Sequence, residues 1–424
     1  MVAFVVKIFL SAITPFSLDF IGNILYSWIS WQAVLSLGFY APWFAFMRGI
    51  TSLWAVLFMQ HSSLENSIGY WYITPSLSVT ALLMMQKAPL LIFDAATAVM
   101  IGGVVAEYRS PHVAGGAILL WLANPYVTLI TEMWGTWDIV SGFFLLLAVA
   151  YFAKGRFLES GISLGLGIGL KMYPLLTLPV FLMFLTREKL GSSLRFIAGV
   201  GGAYFATGGL ALILAAESQL PPYQLPTYNQ LATAATLSEN VSLLWGYSLV
   251  THGIQIILVI VAGVLFVFGY LHLWKPGRTG ILEAVICVYM LIFAFMHWYA
   301  QFLVNLLPLL TIFYFTSGEK KLPLIAYLST ATAFVLLDPV YIWTSWGHSF
   351  FFIPNYNPLL QHLSDILLSI RQWPIGETDV STLITSPIRS VFAGVSVYYA
   401  TWIFLRNADK RILRNILVHE HLSQ

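Results

Sequence analysis

The chain has 424 residues, 59% of them apolar and only 9% charged, where a soluble domain carries about 25% charged residues; a soluble globular fold is excluded. The formal net charge of +2 and the lack of a long Lys/Arg run exclude a nucleic-acid partner. The single cysteine, Cys287, lies in an apolar run and excludes an internal disulfide.

A helix needs about 20 apolar residues to cross a bilayer. Apolar runs broken by short polar turns predict twelve spans, near residues 2–16, 90–106, 113–130, 139–153, 160–170, 174–186, 197–216, 253–274, 280–296, 302–316, 322–337 and 391–405. The expected fold is an all-α polytopic membrane bundle forming one domain over residues 1–424, with a tail at 407–424. Residues 2–16 have the apolar core of a signal peptide, but no small-residue cleavage site follows, so they read as an uncleaved first span carrying Lys7. Segment 16–89 holds the apolar stretches 31–59 and 73–85, interrupted by Pro42, Arg48 and Pro75, and reads as an outer loop with interfacial or re-entrant helices. Residues 160–186 are long for one span and short for two, and Lys171 and Pro174 mark a break in their middle. The spacings of Gly165, Gly167 and Gly169 suit close helix packing.

The basic residues orient this chain, because cytoplasmic loops accumulate Lys and Arg. Alternate turns hold Arg109, Lys154, Arg156, Arg187, Lys189, Arg195, Lys275, Arg278, Lys320 and Lys321, and the tail adds Arg406, Lys410, Arg411 and Arg414. The opposite side receives only Arg48, Lys87, Lys171, Arg371 and Arg389. Both termini are therefore expected in the cytoplasm, with the two long loops, 217–252 and 338–390, on the outer or lumenal face.

Polar residues on that outer side collect where spans end. Asp19 follows the first span, Glu132 and Asp138 lie in NPYVTLITEMWGTWD, Lys171 and Tyr173 in LKMYP, Glu239 in ENVS, and His297, Tyr299 and Gln301 in MHWYAQF. Each alone reads as a helix cap or an interfacial residue; their recurrence on one face is the signal, since ionisable groups at membrane depth mark functional cavities. Asp19 has two readings, a general base acting on an acceptor hydroxyl and an N-cap for a helix starting near Phe20. Lys171, His297, Lys87 and Arg389 are candidate cations for a lipid phosphate, with snorkelling to head groups the competing reading for Lys87 and Arg389. Glu132, Asp138, Tyr173, Glu239, Tyr299 and Gln301 are candidate substrate-binding residues. Asp94, inside the second span, reads as a transport site or a packing residue. No Gly-rich phosphate loop, HExxH, CxxC or nucleophile elbow occurs, so no metal site is indicated.

In order, Asp19, GYWYITPSLSVTALL, QKAPLLIFDAATAVM, LANPYVTLITEMWGTWDIV, AKGRFLESGISLGLGIGLKMYPLLTLPVF and HWYAQFLVNLLPLL resemble the GT-C superfamily of membrane glycosyltransferases. Within it the likeness is to the polyprenol-phosphate-mannose-dependent mannosyltransferases of GPI and phosphatidylinositol mannoside synthesis. It covers about residues 1–190 and 295–310, and is most specific from the Asn124-Pro125 pair to Lys171-Met172-Tyr173-Pro174. The resemblance implies inverting transfer of a sugar, mannose in the family, from a polyprenyl-phosphate donor to a lipid-linked or glycan acceptor. It also implies interfacial helices in the first outer loop and a catalytic Asp at the position of Asp19. Ser17-Leu18-Asp19-Phe20 lacks the second acid of the Asp-x-Asp pair that some relatives carry, which leaves a divalent metal requirement open. The competing function is a transporter or flippase of lipid-linked sugars, which broken helices also suit. Polar residues at outer helix ends and the absence of an internal repeat favour the enzyme.

Overall fold

The computed structural model describes residues 2–13, 41–58, 68–69, 72–73, 77–171, 173–209, 249–251, 254–256, 280–295, 300–317, 328–329, 374–375 and 378–407. Among these the chain is helical, apart from three short antiparallel ladders: Ile68–Gly69 with Tyr72–Ile73, Leu249–Thr251 with Ile254–Ile256, and Pro374–Ile375 with Thr378–Asp379. The helices are α1 (Val2–Ile13), α2 (Ala41–Leu57), α3 (Leu77–Tyr108), α4 (Pro111–Leu122), α5 (Asp138–Ala153), α6 (Phe157–Leu170), α7 (Leu178–Leu185), α8 (Leu190–Tyr204), α9 (Ile281–Phe295), α10 (Leu307–Thr316) and α11 (Val380–Asn407). A turn at Pro125–Val127 and a π-helix at Thr128–Met133 continue from α4, and 3-10 turns at Tyr173–Thr177 and Ala300–Asn305 lead into α7 and α10.

Two described segments are long and apolar enough to cross a membrane, Thr80–Tyr108 in α3 and Pro111–Met133, which joins α4 to the π-helix. α3 has 32 residues, roughly 48 Å at 1.5 Å per residue. It starts at Leu77 rather than near residue 90, so Lys87 belongs to a helix and not to an outer loop. Two features made the boundary look later: Pro89, which removes one backbone donor, and the charge of Lys87, which the fold offsets as described below. α11 likewise starts at Val380, inside the stretch read as the loop 338–390, and passes through Pro387. Residues 254–256, expected to open a span, pair instead with 249–251. The break expected in 160–186 is present: α6 ends at Leu170 and Lys171 is extended, at φ −157° and ψ 132°.

Glycines set how the central helices cross. A Cβ on Gly161 would lie 2.2 Å from the Phe196 carbonyl oxygen, one on Gly165 would lie 2.5 Å from that of Val200, and one on Gly199 would lie 2.6 Å from that of Leu158. Only glycine permits backbones so close. The pairing of 161 with 196 and of 165 with 200 also makes α6 and α8 run parallel, so residues 173–189 must return along the bundle. Phenylalanine packing traces that return. The Phe152 ring lies 5.3 Å from both Phe157 and Phe181, 6.1 Å from Phe184 and 6.0 Å from Phe196. Pro174, by contrast, packs at the other end of α6, against Gly167.

The bundle thus has two unlike ends. One carries Arg109, Lys154, Arg156, Arg187, Lys189 and Arg406 at helix termini, with Lys154 bonded to Glu107, Arg156 to Glu159 at 2.9 Å, and Arg109 donating to the Thr316 carbonyl at 2.7 Å. The other gathers Met133, Asp138, Lys171, Tyr173 and Asn305, where Gly142 admits the Asn305 backbone beside α5.

Candidate functional site

The site is built around the break between α4 and α5. Asn124 Oδ1 accepts from the backbone N–H of Tyr126 (2.9 Å) and Val127 (3.4 Å), capping the turn that Pro125 opens. The chain then widens into a π-turn, with Trp134 N–H donating to the Leu129 carbonyl at 2.8 Å. It reverses at Gly135, whose φ of 75° suits glycine. The Glu132 and Met133 carbonyls end this helix and accept from the Lys87 ammonium at 2.6 and 3.1 Å. A cation is favoured there by the negative C-terminal end of the helix dipole.

Three helices bring further charge to the same place. Lys7 of α1 lies 2.8 Å from Asp94 Oδ2 and 3.4 Å from Glu132 Oε1, while Asp94 Oδ1 accepts from Trp121 Nε1 at 2.8 Å. Lys7, Lys87, Asp94 and Glu132 are each at most 1% exposed. Buried charges are tolerated when paired and hydrogen-bonded, and here the pairing holds α1 to α3.

A second pair joins the start of α5 to the residue that ends α6. Asp138 opens α5, where the helix N-terminus favours a carboxylate. The Lys171 ammonium is 2.6 Å from its Oδ2, and the two side chains are 8% and 1% exposed. The same ammonium lies 4.9 Å from the Trp137 ring centroid, 5.8 Å from Tyr173 and 5.9 Å from Phe302, within cation–π range. Tyr173 and Phe302 touch at 3.9 Å between centroids, and Trp43 of α2 stacks on Trp137 at 5.7 Å. Beneath the pair, Ser141 donates to Asn305 Oδ1 at 2.6 Å, tying α5 to the 3-10 turn before α10.

Of the residues expected at the site, Asp138, Lys171 and Tyr173 lie together, Gln301 precedes Phe302 in the 3-10 turn beside them, and Glu132 lies instead with Lys7 and Asp94. Glu132 Oε2, Asp138 Oδ1, Gln301 Oε1 and the Tyr289 hydroxyl are buried without a hydrogen-bond partner among the described residues, and Tyr289 lies within electrostatic reach of Asp138. Lys87, expected to face a lipid phosphate, is fully buried against carbonyls. Asp19, Glu239, His297 and Tyr299 lie outside the described residues, as does the side chain of Arg389, whose backbone is in α11. Sequence reasoning missed Asn305, Tyr289 and the partnership of Lys7 with Asp94. The last had a signal: a lysine inside an apolar helix requires a counter-ion, and Asp94 is an acid inside the apolar helix α3. Comparison of the chain with known protein families, curated proteins and solved structures finds no match.

Proposed function

We propose that the chain is an integral membrane glycosyltransferase of the GT-C type, with about twelve spans. It transfers a sugar, most simply mannose, with inversion from a polyprenyl-phosphate donor to a lipid-linked or glycan acceptor. The basic end of the bundle then faces the cytoplasm, and the Asp138–Lys171 end faces the outer or lumenal side, where Asp19 is the general base. Lys171 and His297 serve the departing phosphate.

The observation that carries the reading is the chemistry of the Asp138 end: buried oxygens of Asp138, Gln301 and Tyr289 that find no hydrogen-bond partner among the described residues, and the Trp137, Tyr173 and Phe302 rings around the Lys171 ammonium that pairs with Asp138. A sugar offers hydroxyl donors to such oxygens and C–H faces to such rings. A buried acceptor left without a donor costs about 1–3 kcal/mol, so these oxygens favour a hydroxyl-rich ligand. The transport reading draws on the buried Lys7–Asp94 pair, yet both Asp94 oxygens are engaged, by Lys7 and by Trp121. That full engagement of the Asp94 carboxylate favours a structural fastening over a cargo site.

The test offers purified chain in detergent a radiolabelled polyprenyl-phosphate mannose and a panel of lipid and glycan acceptors. Transfer with inverted anomeric configuration is expected, sharply reduced by Asp19→Asn and by Asp138→Asn per folded molecule. Failure to consume the donor with every acceptor, or transfer indifferent to both substitutions, refutes the proposal.

A further inference from the structure

At the basic end, α4 and α10 frame a groove that sugar transfer does not use. Its volume is about 840 Å³, and it is lined from Arg109 and His112, at the start of α4, to Leu120 and Ala123, with Phe315 of α10 on the other wall. Gly116 keeps it open, since a Cβ there would lie 3.6 Å from the Phe315 ring and a larger side chain would fill the space between the helices. Leu119 and Leu120 are exposed, which gives the groove an apolar open side. Its charge is confined to one end. Arg109 Nη2 donates to the Thr316 carbonyl at 2.7 Å, fixing the guanidinium at the C-terminal end of α10, where the helix dipole favours a cation; a guanidinium has further N–H donors to offer. His112 adds a ring N–H. Among the described residues that line the groove there is no acid, and Glu107, close by in sequence, is bonded to Lys154. From His112 to Ala123 the chain rises about 16 Å at 1.5 Å per residue, close to half of the roughly 30 Å hydrocarbon core of a bilayer.

We infer that this groove holds one phospholipid of the cytoplasmic leaflet whose headgroup is net negative, the chemistry of phosphatidylglycerol. Arg109 takes the phosphate through charge-assisted hydrogen bonds, His112 donates a second N–H to it, and one acyl chain lies along Val113, Gly116 and Leu120. Basic pockets between helices on the cytoplasmic side bind anionic headgroups by this chemistry. A zwitterionic headgroup brings an ammonium beside a permanent guanidinium charge, with no acid in the described lining to receive it. The length of the groove favours a lipid over a free phosphate, which would use only its mouth. The assignment rests on the bilayer placement proposed above and is independent of sugar transfer.

The experiment is native mass spectrometry of the full chain, extracted from the membrane fraction into detergent and titrated with phosphatidylglycerol, phosphatidylethanolamine and phosphatidylcholine of the same acyl chains. Phosphatidylglycerol should bind about fivefold more tightly than the other two, the factor that one basic residue near the headgroup supplies. Arg109→Gln should erase that preference, whereas Arg406→Gln, also at the basic end but outside the groove, should keep it. Gly116→Leu, which fills the groove and keeps Arg109 and His112, should weaken phosphatidylglycerol severalfold even if Arg109→Gln folds poorly. Equal affinity for the three lipids overturns the inference, as does a preference that survives Arg109→Gln or that Arg406→Gln alone removes, or phosphatidylglycerol binding unchanged by Gly116→Leu. Displacement of the lipid by an equal concentration of soluble glycerophosphate assigns the mouth of the groove to a water-soluble phosphate and overturns the lipid assignment. Recovery of the chain in the soluble fraction removes the bilayer placement and this inference with it, while equal affinities in membrane-extracted protein remove the inference and leave that placement standing.

Discussion

Replacing Lys171 with Met removes the cation from a carboxylate that stays buried. The ammonium sits 2.6 Å from Asp138 Oδ2, with Asp138 1% exposed, so Lys171→Met leaves Asp138 with an uncompensated charge away from water. Breaking a buried pair in this way costs about 3–5 kcal/mol. Asp138→Asn removes the other partner but leaves the ammonium facing the Trp137, Tyr173 and Phe302 rings and an amide oxygen, so its cost should be lower, about 1–3 kcal/mol. In the double variant neither charge is buried, and such neutral replacements are often close to wild type. The expectation is a coupling of about 2 kcal/mol or more, well above the scatter of about 0.5 kcal/mol expected for independent sites. Unfolding in mixed detergent, followed by circular dichroism across the four proteins, measures it. Additive single effects, or an Asp138→Asn variant less stable than Lys171→Met, would show that the pair and its rings do not work as described.

Further expectations concern fold, topology and chemistry. Lys7→Met should cost about 3–5 kcal/mol because Asp94 loses the ammonium at 2.8 Å, and adding Asp94→Asn should recover much of it; the same unfolding assay reads both. Gly161→Ala puts a Cβ 2.2 Å from the Phe196 carbonyl oxygen and should destabilise by about 1–3 kcal/mol. Gly201→Ala in the same pair of helices meets nothing within 4 Å and should be neutral or slightly favourable; equal effects would refute the close crossing. Single cysteines near Arg109, Arg156 and Lys189 should label from the cytoplasmic side, and those near Tyr228 and Asn357 from the other, with the native Cys287 buried and silent. Asp19→Asn should lower turnover by about 10²- to 10⁴-fold with donor affinity nearly intact, and near-wild-type turnover per folded molecule removes Asp19 from the catalytic role.

The helical character of the chain, the break at Lys171 and the distinct basic ends of the helices were legible in the residues, because each is a local property. Apolar run length specifies a helix, an extended Lys171 before Pro174 ends one, and lysines and arginines mark turns wherever those turns lie in space. Glu132, Asp138, Lys171, Tyr173 and Gln301 could likewise be named from their places at helix ends. Their partners could not, since Lys7 and Glu132 are 125 residues apart and Ser141 and Asn305 are 164 apart, distances across which no sequence pattern repeats. Tertiary structure alone decided that Lys87 would sit inside a helix: its charge is tolerable only because the end of the π-helix delivers the Glu132 and Met133 carbonyls to it. Tertiary structure also decided that α6 and α8 run parallel, because a glycine shows that close approach is possible but not which backbone approaches.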